Sequence, residues 1–229
     1  MRQLSRLIIV LFTISLLAAV TVVAQDKAPT LYIRVAHFAA DAPAVDVYLN
    51  GKKSAVQGLE FARVSDWVEL PEGKYQVAVV PTGETKPVIG PAEFDLKADA
   101  WITVAAVGSV SRKTLKAAVV MEDFTPLETG KVRITLFHGI EGLAPVDVYA
   151  NGSKVANLLA FPGGMGSNDG AATLNVPTGR YDLAINPNGE AKKSILKVAN
   201  AIFVANNNYL VAVVGTTDAP QVVTVATNR

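Results

Sequence analysis

Apolar residues in this chain recur at every second position, in short runs set apart by turn residues. In "VDVYLNG" (residues 45–51), Val45, Val47 and Leu49 fall on one face and Asp46, Tyr48 and Asn50 on the other. That period of two is the signature of a strand. Asn50-Gly51 then supplies the positive φ angles of a tight hairpin turn. Read the same way, residues 31–37, 45–50, 65–70, 74–80, 92–96, 101–108 and 115–121 are strands, separated by "DAP", "NG", "PEG", "PTGE" and "KADA". No segment carries a convincing 3.6-residue apolar period, so almost no helix is expected after residue 24.

The pattern is written twice. Residues 31–53 lie over 132–154 without a gap, which puts Ile33, His37, Asp46, Tyr48 and Lys53 on Ile134, His138, Asp147, Tyr149 and Lys154. "LPEGKYQVAVVPTGE" (70–84) pairs with "VPTGRYDLAINPNGE" (176–190), and "VAAVG" (104–108) with "VAVVG" (211–215). Each unit is far longer than a solenoid repeat. Its length and its turn signals every 8–12 residues suit an independent sandwich. "LPEGKY" and "VPTGRY" place a turn before a Tyr that opens an apolar strand, as in the tyrosine corner of immunoglobulin-like domains. Tyr75 and Tyr181 are the expected corner residues. The short "TPLETGK" between the units predicts restricted relative motion.

The chain is therefore read as all-β: two tandem immunoglobulin-like β-sandwich domains after an N-terminal signal peptide. The expected boundaries are 1–24 for the signal peptide, 25–124 for the first domain, 125–131 for the linker and 132–229 for the second domain.

"RVAHFAADAPAVDVYLNGK", "FARVSDWVELPEGKYQV" and "WITVAAVGS" resemble the bacterial and archaeal exported family known as domain of unknown function 4397. The resemblance covers nearly the whole chain after the leader, as two copies. The second copy departs from it at "HGIEGLAP", where the first reads "HFAADAP", and in a glycine-rich insertion after Phe161. The resemblance implies an exported β-sandwich and brings no catalytic residues with it.

Residues 1–24 carry Arg2 and Arg6 ahead of a long apolar stretch that ends in Val22 and Ala24. These are small enough for the −3 and −1 positions of a signal-peptidase site, with Gln25 opening the mature chain. An uncleaved anchor is the competing reading. Half the residues are apolar and none is Cys, so disulfides and thiolate metal sites are excluded and stability must come from core burial. Removing the leader takes the formal charge from +1 to −1. That near-neutral balance points to no nucleic-acid partner and no anionic membrane surface. After Gln25 no stretch is long enough for a spanning helix.

Candidate chemistry is sparse. His37 and His138, the two histidines, share the apolar face of their strands and are expected to cap strand ends and bond to the following loops. They belong to separate units, and no second His or Cys stands at metal-ligand spacing, so no metal or other cofactor is expected. Asp46 and Asp147 read as backbone hydrogen-bonding partners beside a turn. "GGMGSNDG" has the wrong spacing for a nucleophile elbow, so an enzyme is not expected. The insertion "FPGGMGSNDG" (161–170) gives the second unit six more residues than the first between Phe and Pro. This is either a tolerated surface insertion or, since loops on rigid scaffolds often carry binding, a source of contacts through Met165, Asn168 and Asp169, although one Asp is too few for calcium. Trp67 alternates with Val68 and Leu70 and is expected on the polar face, where it either packs under a neighbouring loop or between the domains, or forms a platform for a sugar ring or a partner's apolar group. The second unit has Thr173 there.

The expected function is a non-catalytic module, secreted or at the cell surface, that binds another macromolecule (a polysaccharide or another surface protein) or serves as a structural spacer. Carbohydrate binding through Trp67 and self-assembly by edge-strand addition are the alternatives.

Overall fold

The computed structural model describes residues 29–163 and 170–228. The expected signal peptide, Met165, Asn168 and Asp169 lie outside the described residues. The first repeat forms β1 (Thr30–His37), β2 (Val45–Leu49), β3 (Lys52–Lys53), β4 (Arg63–Val64), β5 (Val68–Pro71), β6 (Gly73–Pro81), β7 (Ile89–Leu96), β8 (Trp101–Val107) and β9 (Lys116–Glu122). The second forms β10 (Lys131–His138), β11 (Val146–Ala150), β12 (Ser153–Leu159), β13 (Ala171–Pro177), β14 (Gly179–Pro187), β15 (Leu196–Phe203), β16 (Asn207–Gly215) and β17 (Pro220–Asn228). Among the described residues there is no helix, and none long and apolar enough to cross a membrane.

Each repeat is a sandwich of two sheets with one topology. The first has an inner sheet β4-β1-β8-β9, with β5 also on β1, and an outer sheet β3-β2-β6-β7. The second has an inner sheet β13-β10-β16-β17 and an outer sheet β12-β11-β14-β15. In both inner sheets the two central strands run parallel, pairing Tyr32 with Trp101 and Arg133 with Asn208 at equivalent places.

The repeated phrase has a local physical cause. The Asp46 carboxylate accepts from Lys53 Nζ (2.7 Å), the Gly58 amide (2.8 Å) and Thr82 Oγ1 (3.0 Å). Asp147 pairs with Lys154 Nζ (2.7 Å) and accepts from Leu158, Asn188 and Gly189. Asn50 and Asn151 take left-handed φ values of 50° and 48° in the turns, and their side-chain oxygens accept from the amides of Gln76 and Asp182. Asp, Asn-Gly and Lys thus tie the first hairpin to its neighbouring strands. The hydroxyls of Tyr75 and Tyr181 donate to the carbonyls of Pro71 (2.9 Å) and Pro177 (2.7 Å), four residues upstream in each case.

The two sandwiches are packed inner sheet to inner sheet. One apolar cluster joins Ala36, Phe38, Ala105 and Val107 of the first repeat to Phe137, Leu210, Ala212 and Val214 of the second. Ala36 and Phe137, Ala105 and Ala212, and Val107 and Val214 are equivalent positions. Each repeat therefore meets the other with the same patch, which is the arrangement of a two-fold dimer interface inside one chain. Four β layers result, and the central strands of the two middle ones (β1, β8, β10 and β16) are buried on both faces.

Candidate functional site

Register decides which side chains meet at the ends of the inner layer. Across the first inner sheet, Glu69, Tyr32, Trp101 and Glu122 are directly paired neighbours, and Arg34 and Thr103 form the next row on the same face. Tyr32 stacks on Trp101 at 4.0 Å and Phe124 on Trp101 at 4.1 Å. Trp67 meets Trp101 and Phe124 edge to face at 4.9 and 5.7 Å. Offset-stacked and edge-to-face rings gain about 0.5–1.5 kcal/mol per pair beyond their burial, so four aromatics from separate segments hold one another in place.

Beneath the rings lies a charged network. Arg34, 2% exposed, donates from Nη2 to both oxygens of Glu122 (2.7 and 3.0 Å), from Nε to Thr103 Oγ1 (2.8 Å) and from Nη1 to Thr227 Oγ1 (3.3 Å). Thr103 Oγ1 also donates to Glu122. The guanidinium lies 4.3 Å from the centre of the Trp67 ring, and the Trp67 indole N–H donates to Thr227 Oγ1 (3.1 Å). Trp67 is thus half-buried against the second repeat, not presented on an open sheet. Alternation assigns its face correctly, since Val68 and Leu70 pack in the core beneath, but the second sandwich covers the opposite side. This corrects the expected platform.

Over the rings is an open depression of about 360 Å³, lined by Tyr32, Asp99, Trp101, Glu122, Asp123, Phe124, Thr125 and Pro126. The chain between the repeats forms one wall and is pinned by Arg133, whose Nη1 donates to the carbonyls of Asp123 (2.9 Å) and Thr125 (2.8 Å). Burial works against ionisation of Asp123, but hydrogen bonds from Thr125 and the charge of Arg133 outweigh it and hold its pKa below the usual range. At the opposite end of the layer, a cleft of about 210 Å³ lies between the repeats. There Asp41 accepts from Ser109, Ser111 and the Val110 amide, and Arg112 grips Glu141 at 2.7 and 3.1 Å. Its charged groups already have hydrogen-bonding partners within the cleft.

The first depression belongs to one repeat only. The counterparts of Tyr32, Trp101 and Trp67 are Arg133, Asn208 and Thr173. Duplicated positions carry the framework, and this one has diverged. Sequence reading missed the role of Tyr32, Trp101 and Phe124 because no local spacing links them. The signal that was present is the run of β8, "WITVAAV", apolar at every position but Thr103, which marks a strand buried on both faces.

His37 and His138 are fully buried in separate sandwiches. His37 Nε2 lies 2.9 Å from the Pro43 carbonyl, which only accepts, so this nitrogen carries the proton. His138 Nδ1 accepts from the Ile140 amide (3.3 Å), and burial lowers its pKa. Among the described residues no group of His, Asp or Glu is arranged to hold a metal ion.

Fold and site together define a tandem all-β sandwich with an asymmetric surface depression in its first repeat. The chain belongs to the family called domain of unknown function 4397, which matches residues 31–141 and 134–229. No curated protein matches it in sequence. Among solved structures it is similar to a putative cell adhesion protein from Bacteroides uniformis, at 12% identity over 87% of this chain and 98% of that one, TM-score 0.29. A carbohydrate-binding module of family 26 from Eubacterium rectale, solved with maltoheptaose, matches at 13% identity over 87% and 97%, TM-score 0.26. The fimbrial anchor protein Mfa2 of Porphyromonas gingivalis matches at 9% identity over 87% and 98%, TM-score 0.25. At such scores these likenesses carry no inference about what this chain binds.

Proposed function

We propose that this chain is a non-catalytic module, exported by its first 24 residues to the cell surface or beyond, whose first repeat binds carbohydrate in the depression beside Tyr32. The observation that carries the reading is an open depression bordered by carboxylates, in which the half-buried Tyr32 is held by stacking on a buried Trp101 (8% exposed), present in only one of two otherwise equivalent repeats. Aromatic faces take the apolar side of a sugar ring, and neighbouring carboxylates and hydroxyls accept from its hydroxyl groups. The burial of both histidines in separate cores favours binding over catalysis. The test is binding of the chain from Gln25 onward to a panel of polysaccharides and cell-wall fractions, with Tyr32→Leu alongside. Leu keeps apolar volume against Trp101 but offers no flat face. Saturable binding lost in Tyr32→Leu is expected; binding indifferent to the substitution, or no binding to any member, overturns the reading.

A second reading rests on β9, an edge strand whose Val119 and Met121 are 49% and 60% exposed. Such an edge accepts an added strand. Sedimentation that shows assembly rising with concentration, and reduced by Val119→Lys, would favour it; a concentration-independent monomer would dismiss it.

A further inference from the structure

The depression is one-sided in charge. Three of its eight lining residues are acidic and none is basic. Glu122 is neutralised from behind by Arg34 at 2.7 Å. Asp123 meets Arg133 at 3.2 Å, yet its side chain stays 48% exposed. Asp99 is exposed at the rim, in a turn with φ 60°. Its amide donates to the Thr30 carbonyl (2.8 Å), and its carboxylate makes no hydrogen bond or ion pair with other described residues. The two arginines that touch its acids are themselves buried: Arg34 lies under Trp67, and Arg133, 4% exposed, also holds the chain between the repeats.

We propose, resting on the carbohydrate reading above, that the depression selects a cationic glycan: a sugar chain with free amino groups, its ring laid on Tyr32 and its ammonium directed at Asp99 and Asp123. Two physical terms favour this ligand over a neutral or acidic one. An ammonium is attracted by the electron-rich face of an aromatic ring. Carboxylates beside low-dielectric walls concentrate a field that draws cations in and turns anionic sugars away. The Arg34–Glu122 and Arg133–Asp123 pairs keep two carboxylates from adding their full charge, so the selectivity rests chiefly on Asp99, with the half-exposed Asp123 beside it.

The experiment compares a glucosamine tetramer with an N-acetylglucosamine tetramer by titration calorimetry on the chain from Gln25 onward. Acetylation keeps the ring and removes the charge. The amino form is expected to bind about fivefold more tightly, a value typical of one or two exposed ion pairs, and to lose that advantage as salt screens the field. Asp99→Asn, which suits the left-handed turn as well as Asp does and keeps a hydrogen-bond acceptor, should weaken the amino tetramer about two- to fivefold and the acetylated one by less, so that the preference between them narrows. Tyr32→Leu should weaken both. Equal affinity for the two tetramers overturns the inference. If the polysaccharide panel yields a neutral or acidic ligand that depends on Tyr32, the charge selectivity fails while the carbohydrate reading stands. If nothing binds through Tyr32, the carbohydrate reading itself falls.

Discussion

Phe137→Ala probes whether two sandwiches joined through a shared apolar layer unfold as one body. Phe137 is 1% exposed, and its ring lies 5.9 Å from that of Phe38 in the other repeat. Truncating a buried Phe costs about 3–5 kcal/mol, from lost transfer energy and the cavity left behind. With a urea dependence of about 2–3 kcal/mol per molar for a chain of this size, the unfolding midpoint should fall by about 1–2 M. The chain supplies its own reporter, because its two tryptophans, Trp67 and Trp101, both lie in the first repeat, whereas Phe137 belongs to the second. Tryptophan fluorescence follows the first sandwich and its boundary with the second, since Trp67 also bonds Thr227, and far-ultraviolet circular dichroism follows both sandwiches. The shared layer requires the two curves of Phe137→Ala to shift together. A fluorescence midpoint that stays at the wild-type value while the dichroism curve splits would refute the coupling.

Other substitutions test separate parts of the structure. Glu122→Gln leaves the buried Arg34 guanidinium without its counter-charge and should cost about 3–5 kcal/mol, read as a drop in melting temperature of about 10 °C; replacing both residues with Leu should recover most of it. Tyr75→Phe and Tyr181→Phe each remove one corner hydrogen bond and should cost about 1 kcal/mol in chemical denaturation. Hydrogen bonds, led by the one from Lys53, hold the Asp46 pKa below its ordinary value. For Asp147, burial pushes the pKa upward, but hydrogen bonds from Lys154, Asn188, Gly189 and Leu158 overcome it and leave it well below the usual range. Both groups therefore add stability above the unfolded carboxylate pKa of about 3.9 and lose it as pH falls further. Melting temperature should drop steeply below about pH 4, and Asp147→Asn should lower it at pH 7 with a deficit that shrinks in acid.

Much of the fold was legible because its signals are local. Alternation in "VDVYLNG" marks a strand, Asn-Gly marks its turn, and Pro-x-Gly-Lys/Arg-Tyr marks a corner; each works within a few residues. The duplication made the topology readable twice. The layer between the repeats was harder to see. Trp67 was assigned to the correct face by counting from Val68 and Leu70, yet nothing in that count says what covers the face. The information lay elsewhere: β1 and β8 are apolar on both faces, with Ala36, Phe38, Ala105 and Val107 opposite their core positions, and a half-exposed sheet has no use for them. Tyr32, Trp101 and Phe124 come together through a parallel register between strands distant in sequence. Single-sequence alternation cannot supply that register.

The most direct test of the functional account is a crystal structure of the protein with an oligosaccharide found by the polysaccharide panel. The account predicts a sugar ring lying against Tyr32 in the depression, within hydrogen-bonding reach of Asp99 or Asp123. A sugar held instead in the cleft around Asp41 and Glu141, or on the loop that follows Phe161, would contradict it.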